Sequence, residues 1–363
     1  MAQLRPSVQK IFRAVPNMAL RNAENEDVRA FLEATTRTTI ERALTEFSAR
    51  ICYNSVRKMG SSPNFVEKIL QSGHLSTAEH ASLMFPTAFV VRPGNRSDRH
   101  NEIFRANRFF DLPKGFVAGN LRSWFEYMAV GQYSVAYEFI VSTFPDVFPG
   151  TTFLDPKELY EFSEQTPISV PAYEHGLDGK FNLYLLAVNY GELAVSHRPN
   201  IVLNNPWVRY TWLIEGVSRS LTHQLVRHRG ASFSQESQRY VDFEKGQLSK
   251  KYLPFVYPES FSAEQHDKLY WMYNQIEGMY EYLRKDERKE DARFVLPNGA
   301  STRLVCSFNT KELLHFLNIR CAKDAQWEIR RLAMQMLNQT YLATPIKEFK
   351  ELITKYDGQD AKD

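Results

Sequence analysis

The stretch GVSRSLTHQLVRHRGASFSQESQRYV, residues 216–241, decides how the rest of the chain is read. It follows WVRYTWLI (207–214), whose β-branched and aromatic content gives strand character. Glu215-Gly216 is expected to turn the chain. Ser218 is then a suitable N-cap for a short helix. Leu221 and Leu225 share one face of it, and Gly230 stands where a C′ glycine would end it. Arg227, His228 and Arg229 accordingly fall in its last turn. The plain account of those cations is complementarity to the helix dipole, worth about 0.3–1 kcal/mol each.

The residues after Gly230 ask for more than that. Ser232, Ser234, Gln235, Ser237, Gln238 and Arg239 supply many donors and acceptors, bracketed by Phe233 and Tyr240. Gln224 lies one turn before Arg227, on the same face. Gln224, Arg227, Gln235, Ser237 and Arg239 would converge on one planar polar ligand. Amide and hydroxyl groups suit the edge of a pyrimidine, and arginine forks suit phosphate. The set is nucleotide-shaped, yet neither glycine-rich phosphate-binding signature occurs in the chain.

Composition narrows the classes. At 363 residues, 43% apolar and 24% charged, the chain has the make-up of a globular protein with a sizeable core. A net charge of +3 gives no whole-molecule field that would favour nucleic acid or a membrane surface, so an anion site must be a local cluster. No run of about 18 apolar residues is present, so no membrane-spanning segment is expected. The first twenty residues carry Arg5, Lys10 and Arg13 but lack the apolar centre of a secretory signal; an organellar-targeting reading is the lesser alternative. Cys52, Cys306 and Cys321 are odd in number and widely spaced, which points to a reducing, cytoplasmic setting without disulfides or a zinc site. They are expected to be small buried residues.

Along the chain, a helix is expected over about 26–47. A second follows around Phe65, Ile69 and Leu70, stopped by Gly73. ASLMFPTAFVV (81–91) reads as a strand that Pro86 breaks or marks as an edge. Residues 142–171 hold five prolines and read as a long loop, between helical pieces at LRSWFEYMAVGQYSVAYEFIVS and KFNLYLLAVNYGELAVS. Near the C-terminus, Ala322, Ala325, Ile329, Leu332, Ala333, Met336 and Leu337 outline an amphipathic helix that ends before Pro345, with Trp327 in the core.

Arg227-His228-Arg229, seven residues, then Ser237 resembles the signature of the flavin-dependent thymidylate synthases. The likeness extends through the whole of 216–241. SARICYNS (48–55) is similar to that family's first motif, and GHLSTAEHASLMF (73–85) to its His-x-x-x-x-Glu-His element. DARFVLPNGASTRLVCSFNTKELLHFLNIRCAKDAQWEIR (291–330) is similar to its C-terminal motif. Residues 1–85 and 208–363 carry the resemblance.

The resemblance implies an α/β (α+β) fold with a mixed sheet, assembled as a homotetramer with sites where subunits meet. It implies reductive methylation of dUMP to dTMP, with methylenetetrahydrofolate as carbon donor and FAD, reduced by NADPH, as hydride carrier. It assigns Ser76, Arg227, His228, Arg229, Asn309, Lys311 and His315 to FAD, with Gln235 beside them. Gln224 and Arg227 would hold dUMP from one subunit, and Gln235, Ser237 and Arg239 from a neighbour, with Arg293 adding a contact. Arg320 would face the uracil, where a fixed cation favours loss of the N3 proton. Ser237 would orient and polarise the ring, since no adjacent base would make it a nucleophile. None of the cysteines has the Pro-Cys-His context of the unrelated thymidylate synthases. Read without the resemblance, Arg293 and Arg320 are surface or ion-paired residues, and His74 and Glu79 a satisfied loop pair.

The sequence departs from the pattern twice. Lys311 stands where the family has Arg, keeping the charge but losing the planar fork. Residues 86–207 interrupt the usual join and read as an inserted lobe of a discontinuous catalytic domain. Within it, FVAGNLRSWFEYM (116–128) echoes CSFNTKELLHFLNI (306–319), with Arg122 at the place of Lys311. FVVRPGNRSDRHNEIFRANRFFDL (89–112) echoes the Arg-His-rich motif, and a partial internal repeat is one reading of both. Two competing readings remain: a non-catalytic relative that binds or regulates through the insertion, and a nucleic-acid binder using Arg227-His228-Arg229 with the basic run Arg92 to Arg108, against which the near-neutral charge weighs.

Overall fold

A computed structural model of the chain describes residues 9–86, 90, 110–111, 116–129, 139–141, 143–144, 160–162, 168–174, 181–190, 207–243 and 253–357. The run 92–108 and most of the proline-rich stretch 142–171 lie outside the described residues. The strands are β1 (Gln9–Arg13), β2 (Val15–Pro16), β3 (Ser82–Pro86), β4 (Phe110–Asp111), β5 (Phe116–Asn120), β6 (Tyr160–Phe162), β7 (Asn182–Asn189), β8 (Arg209–Ser218), β9 (Ser232–Gln235) and β10 (Ser301–Asn309). The helices are α1 (Glu26–Arg37), α2 (Ile40–Cys52), α3 (Phe65–Gln71), α4 (Leu121–Ala129), α5 (Arg219–Leu225), α6 (Ala263–Asp286), α7 (Thr310–Arg320), α8 (Trp327–Ala343) and α9 (Lys347–Asp357).

Two five-stranded sheets form, in the orders β4-β5-β3-β1-β6 and β2-β7-β8-β10-β9. The second is antiparallel throughout. The first is mixed, because β1 pairs parallel with β6 and antiparallel with β3. This is the α/β (α+β) class expected.

The second sheet is buried on both faces, and that explains its sequence. On one face Tyr184, Leu186, Leu213 and Val305 pack with Phe31 of α1 and Phe47 of α2. On the other, Leu183, Leu185, Tyr210, Trp212, Ile214 and Phe308 pack with Leu221 of α5, Phe316 of α7, Met336 of α8 and Phe349 of α9. Each such large side chain taken fully out of water contributes about 1.5–3 kcal/mol. A strand covered on both sides shows a continuous apolar run rather than alternation. FNLYLLAVN is such a run, so the helix expected there is instead β7; a short apolar stretch carries no period that separates the two states.

Other expectations are corrected in detail. The single helix over 26–47 is two, broken at Thr38–Thr39, where the Thr39 hydroxyl accepts from Arg42 N and starts α2. Gly73 does stop α3, with φ of +85°. β3 ends at Pro86, but it lies between β5 and β1 rather than at an edge. Glu215-Gly216 does not turn the chain. Thr302 pairs with Val217 and Arg303 with Glu215, so Gly216 is left over as a bulge, its φ of +79° suiting glycine. β8 therefore runs on to Ser218. The C-terminal amphipathic helix begins only at Trp327; Ala322 and Ala325 sit in the preceding turn, and Trp327 is half-buried. Cys306 and Cys321 are buried and Cys52 half-buried, all three as free thiols. The described parts of 86–207 join both sheets: β4 and β5 extend the first, and β7 lies between β2 and β8 in the second.

Candidate active site

Ser218 joins strand to helix. Its Oγ accepts from Leu221 N at 3.0 Å, as an N-cap should, and its own N–H and hydroxyl donate to the buried Glu328 carboxylate. Burial raises the Glu328 pKa, and these two donors from Ser218 oppose it. α5 then presents Gln224 and ends at Leu225, earlier than expected. The Arg-His-Arg triplet thus lies past the helix, in the turn 226–230, and the macrodipole account of its charges loses its basis. The Glu312 side chain lies over Gly230, where a Cβ would meet its Cδ at 2.2 Å and push that carboxylate aside.

The turn sorts the triplet. His228 is 8% exposed, while Arg227 and Arg229 point outward, neither side chain in a hydrogen bond or ion pair among the described residues. The His228 ring packs edge-on to Phe316 at 5.0 Å and lies 6.0 Å from the His315 ring. Arg320, in the last turn of α7, donates Nε to His228 Nε2 at 3.2 Å and Nη1 to Gln224 Oε1 at 3.2 Å. His228 Nε2 is thus an acceptor, which requires a neutral ring with its proton on Nδ1. Burial, then Arg320 and His315, push its pKa down to about 4. Gln224, His228, His315 and Arg320 form one group. Arg320 is partnered by neutral groups rather than by a carboxylate, so its positive charge remains available to a ligand.

Ser237, Arg239 and Arg293 form a second group. Ser237 N donates to Cys52 O at 3.0 Å, and its Oγ accepts from Arg239 N at 3.2 Å. Arg239 Nε reaches Glu290 Oε2 at 3.3 Å, and Arg293 Nε donates to Glu290 O at 3.1 Å. Tyr240 packs on Tyr53, and Tyr53 lies beside His74, so the SARICYNS and GHLSTAEH elements border this group. Gln235 faces elsewhere: its amide donates to Thr222 of α5 at 3.1 Å. Ser76 is exposed on the 3-10 turn Leu75–His80.

A third group lies where β8 begins and β10 ends. Asn309 Oδ1 accepts from Glu312 N at 2.9 Å and caps α7, while its Nδ2 donates to Asp111 at 3.1 Å. Lys311 and His315 follow one turn apart on α7, both exposed. Across the ladder from Asn309 is Arg209, 6% exposed, which donates Nη2 to Glu79 O at 2.9 Å and to Ser232 Oγ at 2.8 Å. Burial pushes its pKa down to about 10, against the pull of Asp111 and Glu79. His74 and Glu79 are not the pair expected: Glu79 bonds Arg122 at 2.8 Å, and His74 contacts Ser72.

Four residues carry no role in the sequence reading, three of them buried and Asp111 partly so. His80 bridges Ser307 and Ser234, each at 2.9 Å, and burial, then Arg209, push its pKa down to about 3. Arg303, 1% exposed, holds Asp27, Glu215 and Glu236 together. Arg209 and Asp111 complete the set. His80 closes a quoted motif and was findable; Arg209, Arg303 and Asp111 have no local signal, since their partners are distant in sequence. Burial raises the Cys52 thiol to about 11 and the Cys321 thiol to about 12, away from the nucleophilic thiolate form. No group of side chains suited to a metal ion, and no helix long and apolar enough to cross a membrane, is found among the described residues.

Residues 206–346 match the family model described as thymidylate synthase complementing protein. A flavin-dependent thymidylate synthase of Geobacter sulfurreducens is 47% identical over 131 residues, covering 35% of this chain and 54% of that protein. One from Clostridium tetani is 38% identical over 208 residues, covering 53% of this chain and 77% of its own length. The chain thus spans about half the length of the first of these relatives and about three quarters of the second. A solved thymidylate synthase X from Helicobacter pylori, with FAD and dUMP, is 23% identical, with a TM-score of 0.31 over 38% of this chain and 72% of that one. On the extent of the Clostridium tetani match, the chain belongs to the flavin-dependent thymidylate synthase family.

Proposed function

We propose that the chain carries out the reductive methylation of dUMP to dTMP, with methylenetetrahydrofolate as one-carbon donor and FAD, reduced by NADPH, as hydride carrier. The observation that carries this is the Gln224–Arg320–His228 group, a guanidinium fixed by two neutral acceptors and left with its charge to spend on a ligand. A cation so held lowers the cost of ionising a uracil N3–H and raises electron density at C5. His228, kept neutral, aims Arg320 without competing with it for an anion.

The donor set fits a dinucleotide. Arg227 and Arg229 are exposed and uncommitted, Lys311 and His315 line one face of α7, and the N-terminus of that helix favours an anion. FAD, when bound, supplies the redox chemistry; Arg227 and Arg229 would hold its phosphates, with Asn309, Lys311, His315 and Ser76 around it. Gln224 and Arg227 would hold dUMP from one copy, and Ser237 and Arg239 from a neighbour, with Arg293 adding a contact; Gln235 would join them only by leaving Thr222. The Arg320 group and the Ser237 group share no hydrogen bond among the described residues, which fits sites shared between copies, as in a homotetramer. Ser237 Oγ is met by a backbone donor and no base, which supports an orienting role. The three free thiols support a cytoplasmic setting.

The test is the visible absorption spectrum of the purified protein with added FAD, repeated during a dUMP titration, then dTMP formation with methylenetetrahydrofolate and NADPH. A flavin spectrum that shifts with dUMP, followed by turnover, is expected. Flavin and dUMP binding without turnover would favour the non-catalytic relative, and no flavin binding at all would overturn the proposal.

A further inference from the structure

The sequence treats 86–207 as an interruption, yet two of its side chains bond the flavin-facing elements directly. Asp111, in β4, accepts from Asn309 Nδ2 at 3.1 Å and from Trp207 Nε1 at 2.6 Å. Asn309 also caps α7, so a single amide is held from both sides, by Asp111 and by the first turn of the helix that carries Lys311 and His315. Arg122, in α4, reaches Glu79 at 2.8 Å and Glu126 at 2.9 Å. Glu79 belongs to the 3-10 turn Leu75–His80 that presents Ser76.

This placement follows from topology. β5 pairs antiparallel with β3, Asn120 opposite Ser82, which sets the first turn of α4 beside the end of that 3-10 turn. The unit β5–α4 also repeats β10–α7: each strand ends on an asparagine whose Oδ1 accepts from the N–H three residues on, Ser123 in one and Glu312 in the other, both at 2.9 Å. A basic residue follows each asparagine by two, Arg122 and Lys311. Arg209 joins the halves. It is buried opposite Asn309, bonds Glu79 O, and its Nε has no hydrogen-bond partner among the described residues. A buried guanidinium N–H of that kind is costly unless a further group satisfies it.

We propose that Asp111 and Arg122 are positioning residues of the flavin site, Asp111 setting Asn309 and the start of α7, and Arg122 setting the turn that carries Ser76. The described β4 and α4 of 86–207 are then a working wall of the site. The inference rests on the flavin reading above.

FAD is titrated into the full chain and into Asp111→Ala, Arg122→Ala and the conservative Asp111→Asn and Arg122→Lys, following flavin fluorescence. dUMP binding is measured calorimetrically on each at saturating FAD. The alanine variants are expected to bind FAD at least about tenfold more weakly, the scale seen when a hydrogen-bonded support behind a bound group is removed. Arg122→Lys should recover much of the loss by keeping the charge on Glu79, and dUMP affinity at saturating FAD should stay within about twofold. FAD affinities within about threefold of the parent in both alanine variants would overturn the proposal. So would parallel losses of FAD and dUMP binding, the mark of general disruption. Both donors of Asp111 meet its Oδ2, so the amide oxygen of Asp111→Asn can take both and FAD binding should stay near that of the parent; if an alanine variant does not fold, Asp111→Leu and Arg122→Met, which keep bulk without the polar bonds, must still weaken FAD. A parent chain that binds no FAD would remove the flavin reading and this inference together, an outcome distinct from a parent that binds while the variants are unchanged.

Discussion

Replacing Arg303 by Met tests the energetic centre of the fold. Its guanidinium is 1% exposed and bonds Asp27 at 2.6 Å, Glu236 at 3.0 Å and Glu215 at 3.4 Å, besides Asn54. It thus ties β10 to β8, to the chain leading to Ser237, to α1 and to the loop after Tyr53. Methionine fills similar volume, so the loss is electrostatic: one cation leaves, and Glu215 and Glu236 stay buried without it. Removing one partner from a buried ion pair costs about 3–5 kcal/mol.

The pH dependence gives a second handle. The Glu236 pKa is already raised by burial, and Arg303 is the largest influence holding it down. A carboxyl whose folded pKa lies above its unfolded value contributes stability that is present below the unfolded pKa and lost as pH rises through the folded one. Without Arg303 that folded pKa climbs further, so the deficit of the variant is largest at neutral pH and shrinks toward pH 5 as the carboxyls take up protons. Urea unfolding of both proteins at pH 8 and pH 5 reads this. A difference under about 1 kcal/mol at pH 8, or one that does not shrink on acidification, would refute the reasoning.

Three further outcomes are expected. Arg320→Lys keeps the charge but cannot bond both Gln224 and His228, so kcat should fall by about 100-fold, the scale of losing one aimed donor, with unfolding temperature unchanged; an unaltered kcat would remove Arg320 from the chemistry. The His228 pKa is depressed to about 4, so the stability from its neutral ring is present above the unfolded value near 6.5 and is lost as pH falls toward 4. His228→Phe should flatten the pH dependence of the urea midpoint in that window, and an unchanged slope would contradict the assignment. Ser218→Ala removes the cap of α5 and a donor to buried Glu328, which together should cost about 2–3 kcal/mol in thermal or urea unfolding; a loss below about 0.5 kcal/mol would show that the cap is dispensable.

Local chemistry was readable wherever partners are near in sequence. Ser218 as a cap, Gly73 as a stop, Leu221 and Leu225 as a buried face, and the core positions of α8 from Ile329 to Leu337 all depend on neighbours within a few residues. The misreadings have a common cause. The sequence of β7 reads as helix because burial on both faces erases the strand period. Glu215-Gly216 reads as a turn because a bulge and a turn use the same glycine. Gly230 reads as the end of the helix that would carry the Arg-His-Arg triplet, but the helix stops at Leu225, five residues before it.

By itself, then, the sequence determined the chemical inventory: the amides, hydroxyls and arginines of 216–241, the Arg320 cation, the order of the motifs and the absence of any glycine-rich phosphate loop. It could not determine which of these groups meet. The tertiary structure brought Arg320 onto His228 and Gln224, and Arg239 onto Glu290. It also placed Asp111 and Arg122, from a stretch that looked like an interruption, against Asn309 and Glu79. The reason is physical: propensity, capping and periodicity act over a turn or two of chain, whereas an ion pair or a buried hydrogen bond forms between whatever groups the packed sheets bring within about 3 Å of one another.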